Sequence, residues 1–159
     1  MKILDIKPTV SIRIGKEYYD FFFNQQLKGG KSERILFKMD YQRFLWAFIW
    51  GIKSEKRVPL SYSTESSFKW EIIQRRPNIS QLMIGLVMQE MYKENPEKLR
   101  EDFENAENTD DSFSDKLRIA VEEYANKGFE ILMQKSLLNP GYIEDVQSIV
   151  NDILDTTKI

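Results

Sequence analysis

The sequence predicts a mainly helical single domain over residues 1–159, with about five or six helices and one or two short strands in its N-terminal half. Apolar residues recur at helical spacing through most of the chain, whereas one segment near the N-terminus alternates apolar and polar residues. Aromatic residues make up 13% of the 159 residues, which favours an ordered core although 30% of the residues are charged.

The first elements are a strand and a helix. Residues 9–14 alternate in polarity and end at Gly15, which predicts a strand. Residues 16–27 carry an apolar stripe that includes Tyr19 and Phe22, which predicts a helix that stops at the following glycine pair.

A strongly apolar helix follows, with Asp40 as its N-cap and Ile52 at its end. Its apolar residues recur at helical spacing, and two tryptophans widen the stripe; they are Phe44, Leu45, Trp46, Phe48, Ile49, Trp50 and Ile52. A helix that is apolar around most of its circumference is expected at the centre of the fold.

The next stretch is less regular. Residues 53–67 are polar and predict a loop, and residues 68–73 predict a short strand. A break is expected before Pro77, because the residue that precedes a proline avoids helical angles. Asn78 then caps a helix to about residue 94, with Gln81 completing a capping box.

The last third predicts three more helices. Pro96 suits a first helical turn, and acidic residues 104–111 predict a mobile loop. A long helix is expected from Ser112 or Ser114 to about residue 138. A sharp turn at residues 139–141 leads to a final amphipathic helix over residues 143–154.

The chain contains no histidine and no cysteine, and this absence excludes several classes of function. There can be no Ser-His-Asp triad, no histidine base, no thiolate nucleophile and no imidazole or thiolate metal site. An enzyme would have to rely on Asp, Glu, Lys, Tyr, Ser or Arg, and the sequence shows no spacing that brings such residues together. We expect no catalytic residues, no metal and no cofactor. The N-terminus lacks the apolar segment of a signal peptide, and the longest apolar run is too short to span a membrane, so we expect a soluble cytoplasmic protein.

The net charge of −2 conceals a strong asymmetry. Residues 1–76 carry 15 Lys and Arg against 8 Asp and Glu, whereas residues 77–159 carry 8 against 17. Such an asymmetry indicates an anionic partner on the basic side, or two halves that attract each other within one fold or between subunits.

Basic residues of the first half interleave with aromatic ones around Phe68 and Trp70, a pattern that grips phosphates and stacks on bases. Trp70 is equally expected in the core, and no known nucleic-acid-binding motif is present. The candidate residues for binding a nucleic acid or a partner are Lys53, Lys56, Arg57, Lys69, Arg75 and Arg76.

Other motifs favour structural roles. The glycine pair in residues 28–32 lacks the full spacing of a phosphate-binding loop and indicates a connector. The acidic residues between 97 and 115 fit no calcium loop and indicate a solvated face. Glu122 and Glu123 are adjacent on a predicted helix, so their carboxylates point in different directions.

A notch of small residues is expected in the long helix. Gly128 inside a helix costs about 1 kcal/mol relative to alanine, which a close approach of another helix or loop would offset. Tyr124 and Asn126 would offer hydrogen bonds there. The segment is interpreted as a packing site first, and Tyr124, Asn126 and Gly128 as candidates for docking a partner second.

Three stretches, residues 44–51, 56–60 and 122–132, resemble the small accessory proteins encoded beside DNA phosphorothioation (Dnd) and related phage-defence clusters. The resemblance covers residues 35–135 and rests on an apolar helix ending in glycine, an R-x-P-L turn and a Y-A-N-x-G helix. Trp46 and Trp50 depart from it, because smaller residues are expected there. The resemblance implies a DNA-modification or defence locus and supplies no catalytic residues.

The leading hypothesis is therefore a non-enzymatic accessory or adaptor protein of such a complex, contacting DNA or an acidic subunit through its basic half. The expected partners are the larger subunits of that complex, with DNA and a second copy of the chain as candidates and no membrane. Two alternatives stay open: a small carboxylate-based, metal-dependent nuclease or hydrolase, and a self-assembling protein whose oppositely charged halves meet.

Overall fold

The computed structural model describes residues 5–25, 39–61, 63–108, 112–139, 142, 151 and 154. These residues form a mainly helical fold with a two-stranded sheet, as the sequence predicts. The elements in chain order are β1 Ser11–Gly15, α1 Lys16–Tyr19 continued by a π-helical turn Asp20–Gln25, α2 Asp40–Ser54, β2 Thr64–Lys69, α3 Glu71–Gln74, α4 Pro77–Tyr92, α5 Pro96–Asn108 and α6 Ser112–Leu138.

The two strands pair in antiparallel fashion, with Ser11 opposite Lys69 and Gly15 opposite Thr64. The register shifts between Ile12 and Arg13. Ile12 and Ile14 are buried, as the alternating pattern predicts for one face of a half-buried strand.

The centre of the fold is the crossing of α2 and α6, where the two backbones touch. A Cβ atom added at Gly128 would overlap the backbone carbonyl of Ala47, and one added at Gly51 would overlap that of Tyr124. Two glycines, one on each helix, therefore allow a contact that no larger residue permits.

Aromatic side chains fill the space beside this crossing. The ring of Phe129 lies 5.3 Å from that of Phe22, 5.8 Å from that of Phe23 and 6.4 Å from that of Phe44, measured between centroids. Trp50 is fully buried. The prediction that α2 lies at the centre of the fold is confirmed.

The second strand is the largest correction. Residues 53–67 were expected as a loop and residues 68–73 as a strand, but β2 spans Thr64–Lys69 and α3 follows it. The sequence of β2 has no alternation of apolar and polar residues, and Phe68 is its one buried residue. The strand forms because β1 supplies its hydrogen-bonding partner, which local sequence does not reveal.

Several helix ends also differ from the predictions. Met39, not Asp40, precedes α2, and Arg76 rather than Asn78 precedes α4. Pro77 takes the first helical position, because its missing N–H is not needed there. The predicted loop at 104–111 is wrong in its first half, since α5 continues to Asn108.

Some predictions fall outside the described residues. These are the glycine-containing connector at 28–32, most of the turn at 139–141 and, apart from residues 151 and 154, the final helix at 143–154. The long helix is confirmed, because α6 spans Ser112–Leu138.

Candidate functional site

The chain that leaves α2 folds back onto α6. Glu55 ends the helix with a left-handed backbone conformation, φ 59°. The Val58 N–H then donates to the Glu123 carbonyl at 3.2 Å, and the Asn126 side-chain amide donates to the carbonyls of Val58 and Pro59, each at 3.2 Å. Arg57 adds an ion pair in this region. This segment, residues 55–60, is therefore fixed to α6 by backbone and side-chain hydrogen bonds.

Tyr124, Asn126 and Gly128 are all buried at this junction. α2 packs against Tyr124 and Gly128, and segment 55–60 is bonded to Asn126. The notch thus receives another helix and a loop of the same chain, which is the packing role expected for it. Docking of a partner at these three residues stays a prediction.

A buried charge cluster lies one turn earlier on α6. The Glu122 carboxylate accepts hydrogen bonds from the Arg13 backbone N–H at 2.6 Å and from Arg118 Nη1 at 2.7 Å. Burial raises the pKa of Glu122, and the hydrogen bond from Arg13 and the charge of Arg118 oppose that rise. Glu123 contacts Arg57 instead, with 3.6 Å between Oε1 and Nε. The two neighbouring carboxylates therefore serve different contacts.

The six predicted binding residues do not form one cluster. Arg76 packs beside the first turn of α2. Its guanidinium carbon is 4.5 Å from the centre of the Tyr41 ring. Lys69 and Arg75 flank α3 in the same stretch of chain. The remaining three predicted residues lie at or just beyond the other end of α2. The two ends of this helix of 15 residues are about 20 Å apart. They are Lys53, Lys56 and Arg57.

At that second end the structure contains a cavity of about 380 Å³ between α2 and α6. We call it the Trp50 cavity. Its lining combines lysine, amide and hydroxyl groups with apolar side chains; it consists of Trp50, Ser54, Lys56, Lys127, Ile131, Gln134, Lys135 and Leu138. No carboxylate is among these described lining residues.

Two cations of the cavity come from the acidic half of the chain and were missed by the sequence analysis. Lys127 and Lys135 lie on the face of α6 that also carries Ile131 and Leu138. Their spacing of eight residues, close to two helical turns, was the available signal. The crossing with α2 that brings them to Lys56 was not visible in the sequence.

Trp50 lines the cavity, and its indole N–H lacks a hydrogen-bonding partner among the described residues. Its side chain is fully buried. The ammonium nitrogens of Lys53 and Lys135 lie 5.4 Å and 4.9 Å from the centre of its ring. Lys127 pairs with Glu130 at 3.1 Å. Lys53 and Lys135 thus lie over the aromatic ring, while Lys56 and Lys127 line the same cavity, an arrangement suited to holding an anion.

Other polar groups of the described chain serve internal contacts. Asp5 accepts hydrogen bonds from the indole of Trp70 at 2.8 Å and from the Gln74 amide at 2.9 Å. Asp102 accepts one from the Tyr92 hydroxyl at 2.8 Å. Within the described ranges, no group of three or more Asp and Glu side chains is arranged to hold a metal ion.

A family model described as DNA sulphur modification system-associated protein 4 matches residues 11–157. The chain belongs to this family. The resemblance inferred from the sequence is thereby confirmed, and the match extends beyond residues 35–135 in both directions. No curated protein and no solved structure matches the chain. No described helix combines the length and the apolar character that crossing a membrane requires.

The three stretches that carried the resemblance meet in the structure. Residues 44–51 supply the α2 side of the crossing, residues 122–132 supply the α6 side, and residues 56–60 lie in the segment bonded to both Glu123 and Asn126. Trp50 and Lys56 of the cavity belong to the first two stretches along the chain, and Lys127 belongs to the third.

Proposed function

We propose that this protein is a non-enzymatic accessory subunit of the DNA sulphur modification system that binds DNA through the lysines around the Trp50 cavity. The observation that supports the proposal is the convergence of cations from both halves of the chain at a cavity whose described lining holds no carboxylate. They are Lys53, Lys56, Lys127 and Lys135.

The charges of this surface suit a nucleic-acid backbone. Cations that neutralise phosphates release bound counterions, and this release supplies much of the affinity of a protein for DNA. The family description places its members with a system that modifies DNA. The proposal includes a cytoplasmic location and the larger subunits of the system as partners.

The other basic cluster is less suited to the same task. Arg76 donates a hydrogen bond from Nη1 to the Ile72 carbonyl at 2.8 Å and stacks on Tyr41. Its guanidinium therefore supports the junction of α2, α3 and α4. Lys69 and Arg75 are exposed there. A cavity of about 480 Å³ lies next to Gln74 and Pro77, but its described lining contains the carboxylate of Asp5 and no lysine or arginine.

The contacts of the buried carboxylates support a non-enzymatic role. Glu122 is held by two arginines, and Asp102 by Tyr92, Lys98 and Lys116. These buried carboxylates are engaged in contacts that connect elements of the fold, and they do not converge on one cavity. That arrangement favours a structural role over acid–base chemistry.

The test is fluorescence anisotropy with a labelled DNA duplex and a labelled single strand, titrated at several salt concentrations. We expect the logarithm of the affinity to fall linearly with the logarithm of the salt concentration. Lys56→Glu should weaken binding about tenfold or more, since it replaces an attraction by a repulsion. Lys69→Glu is the matched control, because Lys69 is an exposed lysine at the other end of α2.

Two results would overturn the proposal. Equal losses in both variants would mean that the Trp50 cavity has no special part in binding. An absence of binding even at low salt would point to an acidic protein subunit as the partner of these lysines, and mixing with purified subunits of the system would then decide.

A further inference from the structure

The Trp50 cavity offers more than a basic surface. Its volume of about 380 Å³ lies within the range of small-molecule sites, about 300–1,000 Å³. It also combines cations from two helices with apolar walls formed by Ile131 and Leu138. A flat patch of lysines would bind DNA without either feature.

The buried indole N–H is the second observation. Buried polar groups in proteins nearly always have a hydrogen-bonding partner, because an unpaired donor loses its contact with water and gains nothing in return. The Trp50 N–H has no acceptor among the described residues. By contrast, the Trp70 N–H donates to Asp5 at 2.8 Å. One of two buried tryptophans is therefore satisfied internally, and the other is left for a partner.

We infer that the Trp50 cavity receives one phosphoryl group of the DNA backbone, with the Trp50 N–H as a buried donor and Lys56, Lys127 and Lys135 as its cations. This inference rests on the proposed function and deepens it. Lys135 both lines the cavity and lies over the Trp50 ring. A change in the rotamer of this long side chain would bring its charge toward the anion.

Two forms of DNA supply this chemistry. An ordinary phosphodiester and one in which sulphur replaces a non-bridging oxygen are both tetrahedral anions with a single charge. The sulphur atom is larger and more weakly hydrated, so it loses less on entering a space bounded by apolar groups. Ile131 and Leu138 provide such a boundary. The experiment must therefore compare the two linkages.

The experiment uses the full chain labelled with ¹⁵N and follows the indole N–H signals of the three tryptophans by NMR. The probes are a dinucleotide with an ordinary phosphodiester linkage and the same dinucleotide with a phosphorothioate linkage. We expect the Trp50 signal to shift with saturable dependence on probe concentration, while the Trp70 signal serves as an internal control and stays in place. Lys127→Ala should weaken the binding about tenfold, and Arg100→Ala on α5 should leave it unchanged.

Each outcome decides the inference. A shift of Trp50 that Lys127→Ala weakens supports it, and the tighter of the two probes identifies the linkage that the cavity accepts. If a long duplex binds and responds to Lys56→Glu while neither probe moves Trp50, the cavity inference is wrong and the proposed function stands. If the probes shift Trp50 but no duplex binds, the cavity accepts a phosphoryl anion from a source other than DNA and the proposed function fails.

Discussion

Helix α6 and the neighbouring pair α4 and α5 carry the same kinds of residue in different surroundings. Gly128 of α6 lies against the backbone of α2, whereas nothing lies within 4 Å of a Cβ added at Gly85 of α4. Both glycines stand in the middle of a helix, and the local sequence does not tell them apart. The comparison teaches that the contact between helices, and not the residue type, decides what each position tolerates.

The same contrast holds for two ion pairs with identical spacing. Arg100 and Glu104 of α5 are 78% and 66% exposed, whereas Arg118 and Glu122 of α6 are 17% and 1% exposed. Both pairs join residues four apart on a helix. Only the second also reaches a strand, through the bond from the Arg13 backbone N–H to Glu122.

The largest effect is expected from Gly128→Ala. Its new methyl group would overlap the Ala47 carbonyl, which belongs to a helix backbone and cannot rotate away. We expect a loss of about 4 kcal/mol or more in the free energy of unfolding, measured by urea denaturation. A loss below about 1 kcal/mol would show that α2 and α6 are free to move apart, and the close crossing would then not define the fold.

The second prediction concerns the two ion pairs. Arg118→Ala leaves Glu122 buried with only Arg13 as a partner, so we expect a loss of about 3 kcal/mol in the free energy of unfolding. Arg100→Ala removes a solvent-exposed pair and should cost less than about 0.5 kcal/mol. Similar losses in the two variants would contradict the assignment of Glu122 to a buried, structural charge cluster.

The two buried carboxylates should respond to pH in opposite directions. Burial raises the pKa of Glu122 above its ordinary value of 4.5, so its contribution to stability is present below that value and is lost as pH rises through the folded-state pKa. Burial also acts to raise the pKa of Asp102, but hydrogen bonds from Tyr92 and Lys116 lower it below 3.8 overall. Its contribution is therefore present above 3.8 and lost as pH falls through the folded-state pKa.

These signs are measured as differences in the free energy of unfolding between the wild type and each neutral variant. The excess of the wild type over Glu122→Gln should fall as the pH rises above about 4.5. The excess over Asp102→Asn should rise as the pH increases toward about 3.8 and should level off above that value. If the first difference rises instead, the arginines at Glu122 outweigh its burial.

Periodicity and alternation predicted the elements whose patterns are strong. The central position of α2 followed from its nearly continuous apolar surface, and the long α6 followed from regular apolar spacing. β2 was missed because Thr64–Lys69 contains a single buried residue and depends on β1 for its hydrogen bonds. The acidic composition of residues 104–111 predicts a loop, but α5 continues to Asn108.

The candidate site also contains some residues that the sequence indicates and others that only the fold brings together. The helix cost of Gly128 led to the prediction of a close contact, although Gly85 has the same cost and no such contact. Lys53 and Lys56 are candidates because of their charge. Lys127 and Lys135 were not selected, because each is an isolated lysine in an acidic half of the chain. Only the crossing of α2 and α6 brings the two sets together, and no local property of the sequence encodes which helices cross.

The smallest expected effect is a gain in stability from Gly85→Ala, and it completes the comparison with Gly128. Gly85 lies within α4 at an exposed position where a methyl group meets no atom within 4 Å. Alanine restricts the unfolded chain more than glycine does and is favoured in helices, so the free energy of unfolding should rise by about 0.5–1 kcal/mol. Urea denaturation of both variants in one buffer gives the test. A loss at Gly85 would mean that another chain, such as a second copy or a partner subunit, packs on this face of α4, because the helix itself offers no atom for the methyl group to displace.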